Sequence, residues 1–250
     1  FGFRLEENVP LSPRDAFFDY DIVADNKKDG EMRVSVTVYA RETIVNYYEA
    51  CRAAGLIPLS FEVEAQAIAR ASIRDGNRGT HLIVDFGKHR TGIGIVHRGS
   101  LMYTSTVDIG GRELSLALSK EVGERPESEY TKIKNEKGLM HTGNDDEVYE
   151  ALLPVMSGLI EEVRTRINYW NDKSMDLEDS RDFNSIILCG GSSNLAGLTA
   201  YFQEELLIPT RHAMVWQNAF SLDEHVPPIT RRYAYGYATA IGLALRDYIR

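Results

Sequence analysis

Two short stretches carry residue types suited to holding a phosphate ester. In the first, the apolar run Leu82-Ile83-Val84 stops at Asp85-Phe86-Gly87 and, after Lys88-His89-Arg90, resumes as Thr91-Gly92-Ile93-Gly94-Ile95-Val96. An acid at the end of a buried strand can face the water shell of a magnesium ion, which takes oxygen ligands and keeps several of its waters. Gly87 lets backbone N–H groups approach an anion that a Cβ would block, and Thr91 offers a hydroxyl from the other side of the turn. In the second stretch, Ile186-Ile187-Leu188-Cys189 runs into Gly190-Gly191-Ser192. Exposed N–H groups where a strand turns into a helix suit an anion or the edge of a ring. Each stretch also has a plainer reading: Asp-x-Gly caps many hairpins, and Gly-Gly can be a strand-to-helix turn that binds nothing.

Other candidates are fewer. Glu62 and Glu64 share a strand face by the period-two rule, which suits a cleft edge and a solvated edge alike. The six histidines show no metal-type spacing, His89 reads as an exposed loop residue, and no Ser/His/Asp or Cys/His arrangement can be argued.

Periodicity supplies the elements that must position these residues. Ala16 to Val23 and Glu31 to Ala40 read as strands joined by a turn over Asn26 to Gly30, with Met32, Val34, Val36 and Val38 on one face. Arg41 to Ala54 reads as an amphipathic helix stopped by Gly55, and Leu56 to Val63 as a strand feeding a helix from Glu64 to about Ile73. The polar stretch Asp75 to Gly79 marks a lobe boundary. Beyond it, His81 to Phe86, Gly92 to His97 and Leu101 to Val107 form an antiparallel meander. Helices follow at Arg112 to Val122, Glu127 to Glu136 and Val148 to Trp170. Leu152, Met156, Leu159, Ile160, Val163 and Ile167 stand at helical spacing in the third, and Pro154 either kinks it or marks its start. A strand at Ser185 to Cys189, a helix at Asn194 to Glu205 and a short strand at Ile208 to Arg211 follow, while Asp176 to Asp182 reads as a solvated loop. In the last helix, Arg231 to Arg246, two stripes of small residues (Gly236, Ala240, Ala244 and Ala234, Ala238, Gly242) suit a close helix crossing in a core.

A net charge of −9 without a concentrated basic stripe argues against nucleic acid or anionic lipid as the main partner, and favours neutral, basic or magnesium-chelated ones. Cys51 and Cys189 stand far apart, each inside an apolar element, which fits a reducing cytoplasm. No apolar run reaches the length needed to cross a bilayer, and no leader opens the chain. Without an initiator methionine, Phe1 to Pro13 reads as the middle of a longer protein, and the chain is expected to be a fragment.

The order of these pieces resembles the actin-like ATPase superfamily: an acidic pair before a helix, a hairpin with Asp-x-Gly, Gly-Gly, then Gly-Gly-Ser and a small-residue helix. Within it, Ile57 to Ala71 (IPLSFEVEAQAIARA), Asp85 to Thr91, Ile109 to Glu113 (IGGRE) and Ala240 to Arg246 (AIGLALR) are most similar to the PilM family of type IV pilus assembly. The opening VPLSPRDAFFDYDIV is similar to the segment entering that family's inserted small subdomain, so the resemblance covers essentially the whole chain. It implies an α/β, two-lobed actin-like (ribonuclease H-like) fold with the first lobe incomplete. Residues 1–76 would be the remainder of that lobe with part of the inserted subdomain, 77–230 the second, nucleotide-binding lobe, and 231–250 a connecting helix returning to the first.

The resemblance further implies ATP and Mg2+ as cofactors. It makes Asp85, Gly87 and Thr91 the second phosphate loop, and Gly190, Gly191 and Ser192 the adenosine loop. Gly110 and Gly111 would border the phosphates and Lys134 would lie near the ribose. Glu62 and Asp85 would reach magnesium through water, and Glu64 would orient an attacking water, with slow hydrolysis or none. Two departures stand out: Ala65 occupies a place where relatives often carry proline, and nothing matches the family's first phosphate loop, an N-terminal Asp-x-Gly hairpin. The fragment is therefore expected to bind ATP weakly or not at all and to be inactive alone.

The implied role is a cytoplasmic scaffold whose lobes close on magnesium ATP and present a groove to the N-terminal cytoplasmic tail of PilN, an inner-membrane pilus assembly protein. It would sit beside the inner membrane through that partner, without nucleic acid or direct membrane insertion; a homo-oligomer and a type II secretion role stay open. Alternatives are a nucleotide-free actin-like binding module, a metabolic kinase, for which no acceptor pocket or base stands out, and a relative of the cell-division protein FtsA, disfavoured because no membrane-binding amphipathic tail precedes Arg250.

Overall fold

The computed structural model of the protein describes residues 11–26, 31–141, 143, 146–174 and 181–249. The Asn26–Gly30 turn beyond Asn26, the first ten residues and most of Asp176 to Asp182 lie outside them. The chain divides into two compact units, Phe1–Val63 and Glu64–Arg250.

In the first unit, β1 (Ala16–Asn26) and β2 (Glu31–Ala40) pair antiparallel from Ala16↔Ala40 to Asn26↔Glu31, with a bulge between Ile22 and Ala24. The register sets Phe18, Tyr20 and Ile22 opposite Val38, Val36 and Val34, so one face of the ribbon is apolar. Helix α1 (Arg41–Ala53) begins where β2 ends. The Arg41 N–H donates to Asp15 O at 2.8 Å, and its guanidinium sits 4.1 Å from the centroid of the Phe17 ring, which closes the ribbon's open end. The strand expected over Leu56 to Val63 does not form: the segment pairs with no described strand, and Leu59 is 88% exposed. An apolar run becomes a strand only when a neighbour takes its N–H and C=O groups.

The second unit is built on a five-stranded sheet of order β5-β4-β3-β6-β7. The meander β3 (Thr80–Phe86), β4 (Thr91–His97) and β5 (Ser100–Val107) is antiparallel, while β6 (Phe183–Cys189) and β7 (Thr210–His212) extend it in parallel from β3. Both faces are covered, which is why β3 and β6 read as unbroken apolar runs. Leu82, Val84 and Phe86 point to a core shared with α3 (Gly111–Val122), α5 (Glu147–Lys173) and α6 (Leu198–Leu206). Ile83 points the other way, to a core with α2 (Glu64–Ser72) and the C-terminal helices α7 (Arg231–Ala234) and α8 (Ala238–Ala244). Helix α4 (Glu127–Glu136) lies against α3.

Four expectations change. The division between compact units falls at Val63/Glu64, ahead of Asp75–Gly79, because α2 packs against α8 and the sheet of the second unit. Helix α5 runs through Pro154 without a break and begins at Glu147. The helix expected from Asn194 starts only at Leu198: Gly191–Asn194 forms a 3-10 turn, and Gly197 at φ +77° leaves the helical region. The C-terminal helix is likewise interrupted by a 3-10 turn at Tyr235–Tyr237.

Candidate functional site

The carboxyl ends of the parallel strands β3 and β6 lie side by side, with Asp85 paired to Cys189 in the ladder. In open α/β sheets a crevice outside such strand ends is where ligands bind. Three glycine turns meet there. The Gly111 N–H and the Ser192 hydroxyl both donate to Gly87 O, at 3.0 and 2.9 Å, and the Arg112 N–H donates to Lys88 O at 2.8 Å. These bonds tie Asp85-x-Gly87, Gly110-Gly111 and Gly190-Gly191-Ser192, far apart in sequence, into one rim.

Contact distances explain why glycine stands at the junction. Gly190 has φ +85°, and a Cβ there would overlap Asp85 Oδ1 and lie 2.6 Å from Phe86 O. The loop is also held from below. The Gly190 N–H donates to Tyr235 O at 3.1 Å, His212 Nε2–H donates to Ser193 O at 2.9 Å, and the His212 ring stacks on Tyr235 at 4.6 Å. Since Gly191–Asn194 is a 3-10 turn, the N–H groups here do not form the α-helix N-terminus that the sequence suggests.

Thr91 is fully buried, and its hydroxyl donates to Ile109 O at 2.6 Å. It pins the segment entering Gly110 instead of presenting a free O–H across the turn. The Gly110 N–H is capped in turn by Glu113 Oε2 at 2.8 Å.

Beside the rim lies a cavity of about 310 Å3 lined by Lys88, Gly111, Glu127, Lys134, Gly191 and Ser192, with Thr131 and Asn135. Lys134 is buried in its wall and donates to Gly111 O (3.0 Å), Ser115 Oγ (2.8 Å) and Glu127 Oε1 (3.2 Å). Burial lowers the Lys134 pKa, opposed by the Glu127 carboxylate. Burial alone would raise Glu127, but the Ser115 hydroxyl and Lys134 together bring it below the ordinary carboxylate value. Lys88, Glu127, Thr131 and Asn135 are the four cavity residues that the sequence reading did not single out. Glu127 stands seven residues before Lys134, two helical turns along one face, and that spacing is the signal that could have found it.

On the other side of the rim Asp85 shares its sheet face with Ile83 and so points toward α2, whose first residue is the exposed Glu64. Burial pushes the Asp85 pKa up from 3.8 to about 6. The Glu64 carboxylate adds to the rise, and Cys189 and Arg90 oppose it. Glu62 does not share a strand face with Glu64; it lies in the irregular segment that ends the first unit, while Glu64 opens α2. No group of three or more His, Cys, Asp or Glu side chains able to hold a metal ion directly occurs among the described residues.

The result is a glycine-rimmed crevice at two parallel strand ends, with an acid on one side and lysines on the other. The family model of type IV pilus assembly protein PilM matches residues 3–248. The chain belongs to the PilM family. Its fold is similar to that of a PilM-PilN type IV pilus biogenesis complex, with a TM-score of 0.75 and 21% identity over 99% of this chain and 71% of that one. It is also similar to MreB5 of Spiroplasma citri bound to AMPPNP (TM-score 0.61, 17% identity, 83% of this chain and 64% of that one). A third likeness is to a non-polymerising MamK mutant bound to AMPPNP (TM-score 0.55, 15% identity, 84% and 65%). The fold of this PilM-family chain is thus that of the actin-like ATPases, and the chain spans about two thirds of the length of these structures.

Proposed function

We propose that this PilM-family protein is a nucleotide-binding scaffold of type IV pilus assembly that docks the N-terminal cytoplasmic tail of a PilN-like protein. The observation that carries the nucleotide half is the joining of three glycine turns, at 2.8 to 3.0 Å, over a cavity of about 310 Å3 at the ends of β3 and β6. AMPPNP in MreB5 and MamK, whose folds are similar, supports the same reading. Gly87, Gly110 and Gly111 border the phosphates, Gly190, Gly191 and Ser192 the adenosine, and Lys134 the ribose end. The partner half is supported by the likeness to a PilM-PilN complex.

The residues fit a hydrated magnesium ion: Asp85 and Glu64 repel one another, and a divalent cation reached through its waters would relieve that repulsion. Asp85 would hold the ion through its waters, the ion would supply charge neutralisation at the phosphates, and Glu64 would orient a water, with slow in-line attack or none. No described helix is long and apolar enough to cross a membrane; attachment to the inner membrane would come through the partner, from the cytoplasmic side.

A nucleotide-free docking module is the second reading, favoured by one observation: the Ser192 and Thr91 hydroxyls and the Gly111 amide already have protein partners. Calorimetric titration of the full-length protein separates the two. MgATP should bind, Asp85→Ala should weaken it by at least about tenfold, the loss of one charged contact, and a PilN-like tail peptide should bind both proteins. Absence of MgATP binding to the parent would leave the docking module.

A further inference from the structure

Two ammonium groups line the cavity, and they are not equivalent. Lys134 is 8% exposed and donates to a carbonyl, a hydroxyl and a carboxylate, so all three of its protons are engaged within the protein. Lys88 is exposed on the turn after Gly87, and among the described residues its side chain makes no hydrogen bond or ion pair. It lines the cavity all the same, and its charge acts on both Glu127 and Lys134. The backbone beneath it is fixed: Arg112 N–H donates to Lys88 O, and Gly110 is packed so closely that a Cβ there would lie 2.6 Å from that oxygen. Arg90, at the far end of the same turn, acts electrostatically on Asp85 and does not line the cavity.

We infer that Lys88 is the anion-recognising residue of this site, reaching a phosphoryl oxygen of the bound nucleotide, while Lys134 is a positioning residue that holds Gly111 and Glu127 in place. The inference rests on the nucleotide reading above. An exposed ammonium without a hydrogen bond, on a fixed backbone, can reach a phosphoryl oxygen at little cost, since no hydrogen bond is broken. Lys134 could follow only by giving up its three hydrogen bonds, to Gly111 O, Ser115 Oγ and Glu127 Oε1. Lys88 would make binding discriminate by phosphate charge, and the interaction would be a charge-assisted one.

The test uses the full-length protein, titrated with MgATP and with adenosine at two salt concentrations. Lys88→Met should weaken MgATP about tenfold or more, flatten the salt dependence and leave adenosine affinity within about twofold, whereas Lys88→Arg should keep MgATP within about threefold. Lys88 lies on an exposed turn, so the variants should keep the parent's unfolding midpoint, which is measured alongside. Equal MgATP affinity in parent and Lys88→Met overturns the assignment to Lys88, and so does an equal loss for adenosine. If the parent itself binds no MgATP, it is the nucleotide reading that falls, and the inference with it.

Discussion

Asp85 and His81 lie four residues apart on β3 and are displaced in opposite senses. Asp85, held among Glu64, Cys189 and Arg90, titrates near 6 instead of 3.8; His81, bonded to Ser185 and Asn77 and facing Arg211, is lowered from 6.5 to about 4, chiefly by burial. The fold prefers Asp85 protonated, so its contribution to stability is complete below about 3.8 and lost as pH rises through about 6. It prefers His81 neutral, so that contribution is complete above about 6.5 and lost as pH falls through about 4. Between those values the two slopes oppose. Asp85→Asn removes one of them. The variant should be more stable than the parent at pH 7, by roughly 1–3 kcal/mol, and should lose stability more steeply on acidification from pH 6.5. Urea denaturation at stepped pH measures both, and identical slopes in parent and variant would refute the pairing. His81 was invisible to a search for ligand spacing because its role is set by burial beside Ser185, a residue of another strand.

At the scale of elements, the α2–α8 crossing depends on a single missing methyl. Gly242 is buried, and a Cβ there would overlap the Ala67 carbonyl of α2. Ala234 and Ala238 are buried on the same stripe, while Gly236, Ala240 and Ala244 face solvent. Four-residue spacing exposed both stripes in the sequence, and only packing against Ile68 and Ala69 chose between them. Backbone, unlike a flexible side chain, has little room to yield. Gly242→Ala should therefore destabilise the protein by about 1–3 kcal/mol, the usual cost of overpacking, whereas Ala240→Ser should be nearly neutral; thermal unfolding of both variants checks it. Equal midpoints for Gly242→Ala and the parent would show that the helices can separate cheaply. Leu56–Val63 is the opposite case, an apolar run that stays irregular because no described strand takes its hydrogen bonds.

For the whole molecule, the proposed scaffold has two ligands, and linkage requires that each affect the other equally. If MgATP alters the affinity for a PilN-like tail peptide by some factor, the peptide must alter MgATP affinity by the same factor, typically about 5- to 150-fold for coupled sites. Paired titrations of the full-length protein, each in the presence of saturating second ligand, measure both. A factor of one in both directions would mean that nucleotide and partner act independently, and the scaffold would not be a nucleotide switch.

The sequence by itself determined the meander, the strand that becomes β6, the core stripe of α5 and the glycine turns, since each depends on local period or on a conformation that glycine tolerates best. It also carried the family, through motifs in order along nearly the whole chain. What it left open depends on contacts between distant residues. The bond from Ser192 to Gly87, the engagement of Thr91 by Ile109, the clamp around Lys134 and the freedom of Lys88 link residues up to 105 positions apart. Type and spacing can nominate a hydroxyl or an ammonium, but whether its hydrogen-bonding capacity is spent inside the protein or left for a ligand is decided only when the strands and turns are brought together.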